Sequence, residues 1–391
     1  MLHTHYSDKI RSMNRNTWTV LITSAVFSLA AGIYEFVLPL FLENRRISFV
    51  SMGFIFGIAA VSLFFFRVIS GRYSDRIGRK PVYTFSLVLA GISNIFTPVF
   101  SAVSGQIILK SLRETAMVIR ETMRAVIVYE NTGEKFLLAI SRIIGLEFIL
   151  IGLGALAGGF LISTFGFDFP FYFCGIALFL TFIYFNFSFR ETKPVKNSPE
   201  PAIALKMSDF LHPDLPHQLK IAAFSFFVFN LGLSMSHSFY LPLFFIKKFN
   251  TGPELTALIM TIHRLVLGTA MFAYGSSFKK NQKSVYMAVA MLQGLTITVS
   301  TLIPGLTLAA CIWLLHDVFG SIVNPLQNNF IQKFARSETR GKDVSLVQAI
   351  AYLGWIFGPI AAGFLVPVSV NAPFFVSGVV VMVSIFVMLW L

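Results

Sequence analysis

The sequence predicts an all-α membrane protein whose twelve transmembrane helices form two pseudosymmetric six-helix bundles. Three observations predict it. The first is composition: of 391 residues, 55% are hydrophobic and only 13% charged, with a mean hydropathy of +0.74, whereas soluble domains carry about 25% charged residues. The second is a ladder of apolar runs of bilayer length. The third is an internal repeat that lays the second half of the chain on the first.

The elements follow in order. The residues before Trp18 are basic and polar, and the apolar run behind them reaches Leu42 without a small-residue cleavage site. That run reads as a retained first span rather than a removed leader. Runs at 17–42, 49–70 and 81–101 supply spans 1 to 3, each near the roughly 20 residues that cross about 30 Å of hydrocarbon. Between Ser101 and Phe136 the chain carries Lys110, Arg113, Glu114, Arg120, Glu121, Arg124 and Glu130, and hydropathy alone leaves it undecided. Runs at 139–163 and 170–188 give spans 5 and 6. A proline- and charge-rich segment from Arg190 to Lys220 reads as a linker with one surface helix near 202–211. Runs at 220–246, 253–275, 284–303, 305–330, 343–366 and 372–391 give six more spans.

The repeat decides the undecided stretch. With a shift of 203 or 204 residues, FVLPLFL (36–42) falls on FYLPLFF (239–245) and Gly71 on Gly275. GALAGGFLI (154–162) falls on GPIAAGFLV (358–366), and FPFYFCG (169–175) on APFFVSG (372–378). The charged stretch is then the mate of 305–330 and becomes span 4. The expected organisation is a six-helix bundle over 1–189, a linker over 190–219 and a second six-helix bundle over 220–391.

The formal net charge of +13 is a topology signal. With the N-terminus inside, twenty of the 31 Lys and Arg fall in cytoplasmic segments, four in outer loops (Arg45, Arg46, Lys247, Lys248) and seven within spans. The inside-positive rule then puts both termini in the cytoplasm and the chain in the cell membrane. These cations meet lipid headgroups, not nucleic acid. Cys174 and Cys311 lie within apolar runs, so no disulfide framework is implied. No HExxH, paired Cys–His set, nucleophile elbow or phosphate loop occurs on a span. Hence no catalytic residue, metal ligand or cofactor is assigned, and enzyme chemistry is not expected.

Between spans 2 and 3 stands Gly71-Arg-Tyr-Ser-Asp75-Arg76-Ile-Gly78-Arg79-Lys80. So short a turn needs glycine where the backbone bends, and an acid beside bases offers an ion pair that can be made and broken. The run resembles the GxxxDRxGRK/R loop signature of the major facilitator superfamily, and twelve spans in a twofold repeat match that family over the whole chain. The resemblance implies a secondary transporter in which two halves rock about a midplane site. It also implies a cytoplasmic latch of Gly71, Asp75, Arg76, Gly78, Arg79 and Glu130. In it Asp75 faces the start of span 11 near Asp343, and Arg76 or Arg79 reaches Glu130 at the end of span 4. The second copy, GSSFKKNQKS (275–284), lacks the acid and the second glycine, so only the first half is expected to latch. Gly154-Ala155-Leu-Ala-Gly158-Gly159 in span 5 is similar to the tail of the family's antiporter motif, with alanine in place of proline. Close helix packing accounts for it as well.

An ionisable group in a span costs roughly 2.5–3.5 kcal/mol on insertion scales. Here such groups avoid spans 3, 6, 9 and 12, the peripheral scaffold helices of the family. At about 100° per residue, Arg113, Arg120 and Arg124 share one stripe of span 4, and Lys110, Glu114 and Glu121 share a neighbouring one. Glu35, Glu147, Arg264 and Asp317 lie on spans 1, 5, 8 and 10, joined by His237, His263 and His316. The coupling proton is assigned to Glu35, with Arg113 or Arg120 setting its affinity as it approaches or withdraws; the resemblance implies such a pair. His237, beside Glu35 in the repeat, is a second titrating group or a packing histidine. The substrate cavity is assigned to Tyr34, Glu114, Glu121, Arg124, Glu147, Asn230, His263, Arg264, His316, Asp317, Asn324 and Tyr352. Static pairing or helix–helix hydrogen bonding is the alternative for each.

The buried charges nearly balance. A small organic anion or zwitterion held by Arg120 or Arg264 fits, and so does an amphipathic efflux substrate. The expected function is secondary active transport of a small solute by alternating access, with protons as the driving ion and a monomer in the bilayer as the working unit. A uniporter or a non-transporting sensor of the same fold is the alternative.

Overall fold

The computed structural model describes residues 15–132, 136–191, 214–274, 281–337 and 339–390. Among them are thirteen helices and no strand. These are α1 (Arg15–Asn44), α2 (Phe49–Ile77), α3 (Arg79–Phe96), α4 (Val103–Thr132), α5 (Phe136–Phe165) and α6 (Phe169–Ser188). Then follow α7 (His217–His237), α8 (Tyr240–Phe249), α9 (Pro253–Tyr274), α10 (Gln282–Leu302), α11 (Leu306–Phe334), α12 (Arg340–Leu365) and α13 (Ala372–Met388). The expected spans 1 to 6 are α1 to α6, span 7 is α7 with α8, and spans 8 to 12 are α9 to α13. The surface helix expected near 202–211 lies outside the described residues.

Local chemistry sets the joints. Ser48 caps α2 by accepting the Ser51 amide at 3.2 Å, one of the donors that a helix start leaves unpaired. A single residue, Gly78, separates α2 from α3, with φ 101° and ψ 166°, a region open essentially to glycine alone. Its carbon packs on the Glu191 carboxylate, which accepts the amides of Arg79 at 2.8 Å and Lys80 at 3.1 Å and so caps α3. Span 7 departs from the expected continuous helix by breaking at Ser238. Pro242, four residues on, has no N–H for the Ser238 carbonyl. Pro39, its mate, sits inside the unbroken α1, so proline permits the break without imposing it. The Leu233 carbonyl takes up the Ser236 hydroxyl at 3.1 Å and the His237 ring at 3.1 Å, side-chain groups that compete with the helix ladder.

The packing repeats with the sequence. In the first six helices α1 lies on α5 and α6, α2 on α4, and α3 on α4 and α6; in the later ones α7 lies on α12 and α13, α9 on α11, and α10 on α11 and α13. Two seams join the sets, α2 with α12 and α5 with α9. Small residues let these backbones touch. A Cβ on Gly53 would lie 2.5 Å from the Pro359 carbonyl oxygen, and one on Gly363 would lie 2.6 Å from that of Phe49. Gly354 and Gly358 abut Leu231, and Gly154 and Gly158 abut α1 near Leu29 and Ile33, which makes both small-residue motifs helix contacts.

Contacts between the sets gather toward the face that carries Arg45. There Lys247 pairs with Glu43, Phe49 meets Tyr240 edge-on at 6.4 Å, and Phe54 meets Phe364 at 6.3 Å. The opposite face carries Lys80. Seven of the helices are long and apolar enough to cross a membrane by length and composition. Large apolar side chains also stand outward on several helices, among them Leu180, Phe187, Phe357 and Phe386. The chain is an integral membrane protein.

Candidate functional site

A cavity of about 420 Å³ lies between the two sets of helices, lined from α1, α2, α4 and α5 on one side and α7 to α12 on the other. That volume is within the usual range for small-molecule sites, roughly 300–1,000 Å³. Most of its wall is apolar: Phe36, Phe56, Leu63, Met117, Phe148, Leu233, Met260 and Trp355 among others.

Three sets of polar side chains interrupt that wall. Glu35 of α1 and Arg264 of α9 meet across the cavity, Nη2 donating to Oε2 at 3.3 Å, with the guanidinium 5.9 Å from the centre of the Phe148 ring. One helical turn apart on α4, Lys110 pairs with Glu114, and the ammonium lies 5.0 Å from the Phe56 ring and 5.5 Å from that of Tyr34. The aromatic faces lower the cost of holding that cation in a dry wall.

The third set is a cluster of three imidazoles and a carboxylate. His237 ends α7, His263 stands on α9, and His316 and Asp317 stand on α11; all four line the cavity. His237 Nε2 faces His316 Nε2 at 2.7 Å, His263 Nδ1 meets Asp317 Oδ2 at 2.7 Å, and His316 Nε2 lies 3.3 Å from Asp317 Oδ1. Trp313 lies against them, its ring tilted to both and 4.7 Å from His316 and 4.9 Å from His263. Ligand atoms of His263, His316 and Asp317 all lie within 4.8 Å of one another. The sequence assigned no metal ligand because His263 stands 54 residues before Asp317, and only the packing of α9 on α11 joins them.

Behind the wall, the arginines of α4 are placed differently from the expectation that Arg113 or Arg120 faces Glu35. Glu147 of α5 accepts Arg120 at 2.7 Å and pairs with Arg124 as well, while Arg120 also reaches Ser24 at 3.2 Å. Arg113 lies between the rings of Phe27 at 4.4 Å and Tyr34 at 5.4 Å. Helix α4 turns its basic stripe against α1 and α5, so Arg264 from the other set takes the position opposite Glu35.

Other assigned residues separate in the same way. Asn324 and Tyr352 line the cavity. Asn230 instead donates to the Ala351 carbonyl at 3.1 Å, joining α7 to α12. Tyr34, fully buried, supports Lys110 and Arg113 with its ring. Glu121 is half-buried on α4, away from the lining. Lys110, Trp313 and Gln293 were not assigned to the site from sequence. A basic residue one turn from Glu114, and a tryptophan three residues before His316, were the available signals for the first two.

At the Lys80 face, Arg79 donates to Glu130 through Nε at 3.1 Å and Nη2 at 2.9 Å, and to Ser74 Oγ at 2.7 Å. Gly71, Asp75 and Arg76 lie outside the residues whose side chains are described. Asp343, in the first turn of α12 and fully buried, accepts Arg336 Nη2 at 2.8 Å and Nε at 3.1 Å, while Arg336 Nη1 reaches Asp214 at 3.0 Å. Hydrogen bonds to Asp343 and Asp214 raise the Arg336 guanidinium above its ordinary pKa.

The chain is 24% identical to Multidrug resistance protein 2 of Bacillus subtilis (strain 168) over 402 residues, covering 97% of each. It is also 24% identical to Multidrug resistance protein 1 of the same organism, covering 94% of each. Among solved structures, a variant of the nucleoside transporter NupG superposes with a TM-score of 0.80 at 14% identity, over 96% of this chain and 99% of that one. The human organic anion transporter MFSD10 (TETRAN) gives 0.69 at 16% identity, again over 96% and 99%. The sequence profile of the Major Facilitator Superfamily matches residues 20–342. The twofold helix packing, the cavity between the two sets and this match agree: the chain is a non-enzymatic membrane transporter and belongs to the Major Facilitator Superfamily.

Proposed function

We propose that the protein is a secondary active transporter that moves a small amphipathic solute by alternating access, driven by protons. The observation that carries this reading is the Glu35–Arg264 pair, in which an acid of one set of helices and a base of the other meet at 3.3 Å inside a shared cavity. A solute or proton that competes for either partner changes what holds the halves together there, which is the differential interaction a two-state carrier needs. Protonating Glu35 removes the charge that Arg264 answers. The mostly apolar wall, broken by Glu35, Lys110, Glu114 and Arg264, suits a solute with an apolar body and one ionisable group. The relatives named for multidrug resistance favour export of such a compound over uptake of a strongly charged nutrient.

The contacts at the Arg45 face support a state closed on that side, with Arg79–Glu130 and its loop belonging to the latch at the other. The charge asymmetry of the loops supports termini in the cytoplasm of a cell whose plasma membrane holds the protein as a monomer. Cysteines replacing Glu43 and Lys247, in a chain with Cys174 and Cys311 changed to Ser, test the reciprocating step. A disulfide across the Arg45 face stops flux in proteoliposomes and reduction restores it. Unchanged flux in the cross-linked protein contradicts alternating access.

A further inference from the structure

We propose that His237, His263, His316 and Asp317 form a binding site for a divalent d-block cation of the zinc and cobalt class in the cavity wall. His316 Nδ1 abuts the Trp313 carbonyl, which accepts only, so that nitrogen carries the hydrogen and the neutral ring turns a bare lone pair outward from Nε2. His237 Nδ1 lies 2.7 Å from the Ser236 hydroxyl and 3.1 Å from the Leu233 carbonyl, and its Nε2 meets His316 Nε2 at 2.7 Å. An Asp317 oxygen stands 3.3 Å from His316 Nε2, and ligand atoms of His263, His316 and Asp317 all lie within 4.8 Å of one another. Carboxylate oxygens and a bare nitrogen lone pair gathered this closely call for a positive charge beside them.

A metal ion answers that need with the available donors. Nδ1–H to a backbone carbonyl is the usual outer support of a ligating imidazole, fixing tautomer and ring direction. Three nitrogens and a carboxylate oxygen are a donor set suited to zinc-class ions. In tetrahedral coordination with ligands near 2.1 Å, donors stand about 3.4 Å apart. The observed separations of 2.7, 2.7 and 3.3 Å need an opening of roughly 0.7 Å along two edges. Asp317 supplies one negative charge against the ion's two, and Trp313 and Phe245 back the site with apolar surface. All four ligands belong to α7, α9 and α11, so the ion does not bridge the halves. The proposal rests on the cavity's existence and not on proton coupling.

The test uses the full-length protein, purified with a histidine-free tag, stripped of metal and placed in nanodiscs. Titration with Co²⁺ is followed by visible absorption, and titration with Zn²⁺ by calorimetry. The expected result is one ion per chain, with the intense d–d bands of four-coordinate Co²⁺, displaced by Zn²⁺. Changing His263, His316 or Asp317 singly (His263→Ala, His316→Ala, Asp317→Asn) weakens binding at least about tenfold, while the His3→Ala/His5→Ala variant keeps it. Absence of binding to the unaltered protein, or a weak six-coordinate Co²⁺ spectrum, overturns the proposal without reference to any variant's folding. Binding that survives all three ligand changes, or disappears with His3 and His5, overturns it too. A cluster that holds only a proton gives the first of these results. Glu35→Gln leaves metal binding unchanged, so loss of proton coupling and loss of the metal site are read separately.

Discussion

Glu35 on the first helix and Arg264 on the ninth stand 3.3 Å apart, with side chains 38% and 26% exposed. A pair this wet contributes little to folding, about 0–1 kcal/mol, so its value lies in what it controls. Arg264→Ala is therefore expected to leave thermal unfolding in detergent nearly unchanged while substrate flux in proteoliposomes falls steeply. Exchanging the pair (Glu35→Arg with Arg264→Glu) recovers part of the flux that either single reversal abolishes. A large drop in melting temperature for Arg264→Ala would assign the pair to structure instead.

Glu147 behaves in the opposite way. Its carboxylate holds Arg120 and Arg124 where all three side chains are 10% exposed or less, and removing it leaves two buried cations with their main acceptor gone. Breaking a buried pair from one side costs about 3–5 kcal/mol. Glu147→Gln should lower the unfolding temperature and the yield of monodisperse protein far more than Glu35→Gln does. Scanning fluorimetry of the two variants side by side is the check.

At Gly78 the backbone conformation, φ 101° and ψ 166°, lies outside the left-handed helical region that asparagine tolerates. A Cβ there would also stand 2.6 Å from Glu191 Oε2. Gly78→Ala and Gly78→Asn should therefore be destabilising alike, by about 1–3 kcal/mol. An asparagine variant as stable as the parent in a thermal melt would show that the turn relaxes.

The α2–α12 seam gives a purely steric prediction. Gly53 places its α-carbon so near the Pro359 carbonyl that a Cβ would lie 2.5 Å from that oxygen. Gly53→Val forces the two helices apart, so flux should be lost and cross-linking of Cys-substituted Phe49 to Cys-substituted Tyr240 reduced. Retained cross-linking with normal flux would contradict the tight seam.

Much of the fold was legible because hydrophobic run length and an internal repeat are properties of the chain itself. FVLPLFL falling on FYLPLFF located both halves, and α2 on α12 with α5 on α9 restates that symmetry in space. Gly78 was legible as a glycine of the Gly71–Lys80 turn, but not that α2 runs on to Ile77 and leaves Gly78 as the whole turn. The partners of the charges were not. Helical periodicity gave the stripe of Arg113, Arg120 and Arg124 but not the direction in which α4 faces, which depends on how Glu147 and Ser24 approach from α5 and α1. Arg264 and the His263–His316–Asp317 cluster depend on α9 packing against α5 and α11, a relation no local pattern encodes. The break at Ser238 escaped for a similar reason: the same proline in α1 breaks nothing.

The measurement closest to the central claim is accumulation of a fluorescent amphipathic dye panel in proteoliposomes under an imposed pH gradient, comparing the parent protein with Glu35→Gln. Uphill accumulation by the parent that collapses with a protonophore, and its loss in Glu35→Gln with downhill exchange preserved, is the result expected. Accumulation that ignores the gradient, or that Glu35→Gln sustains at the parent's level, would contradict it.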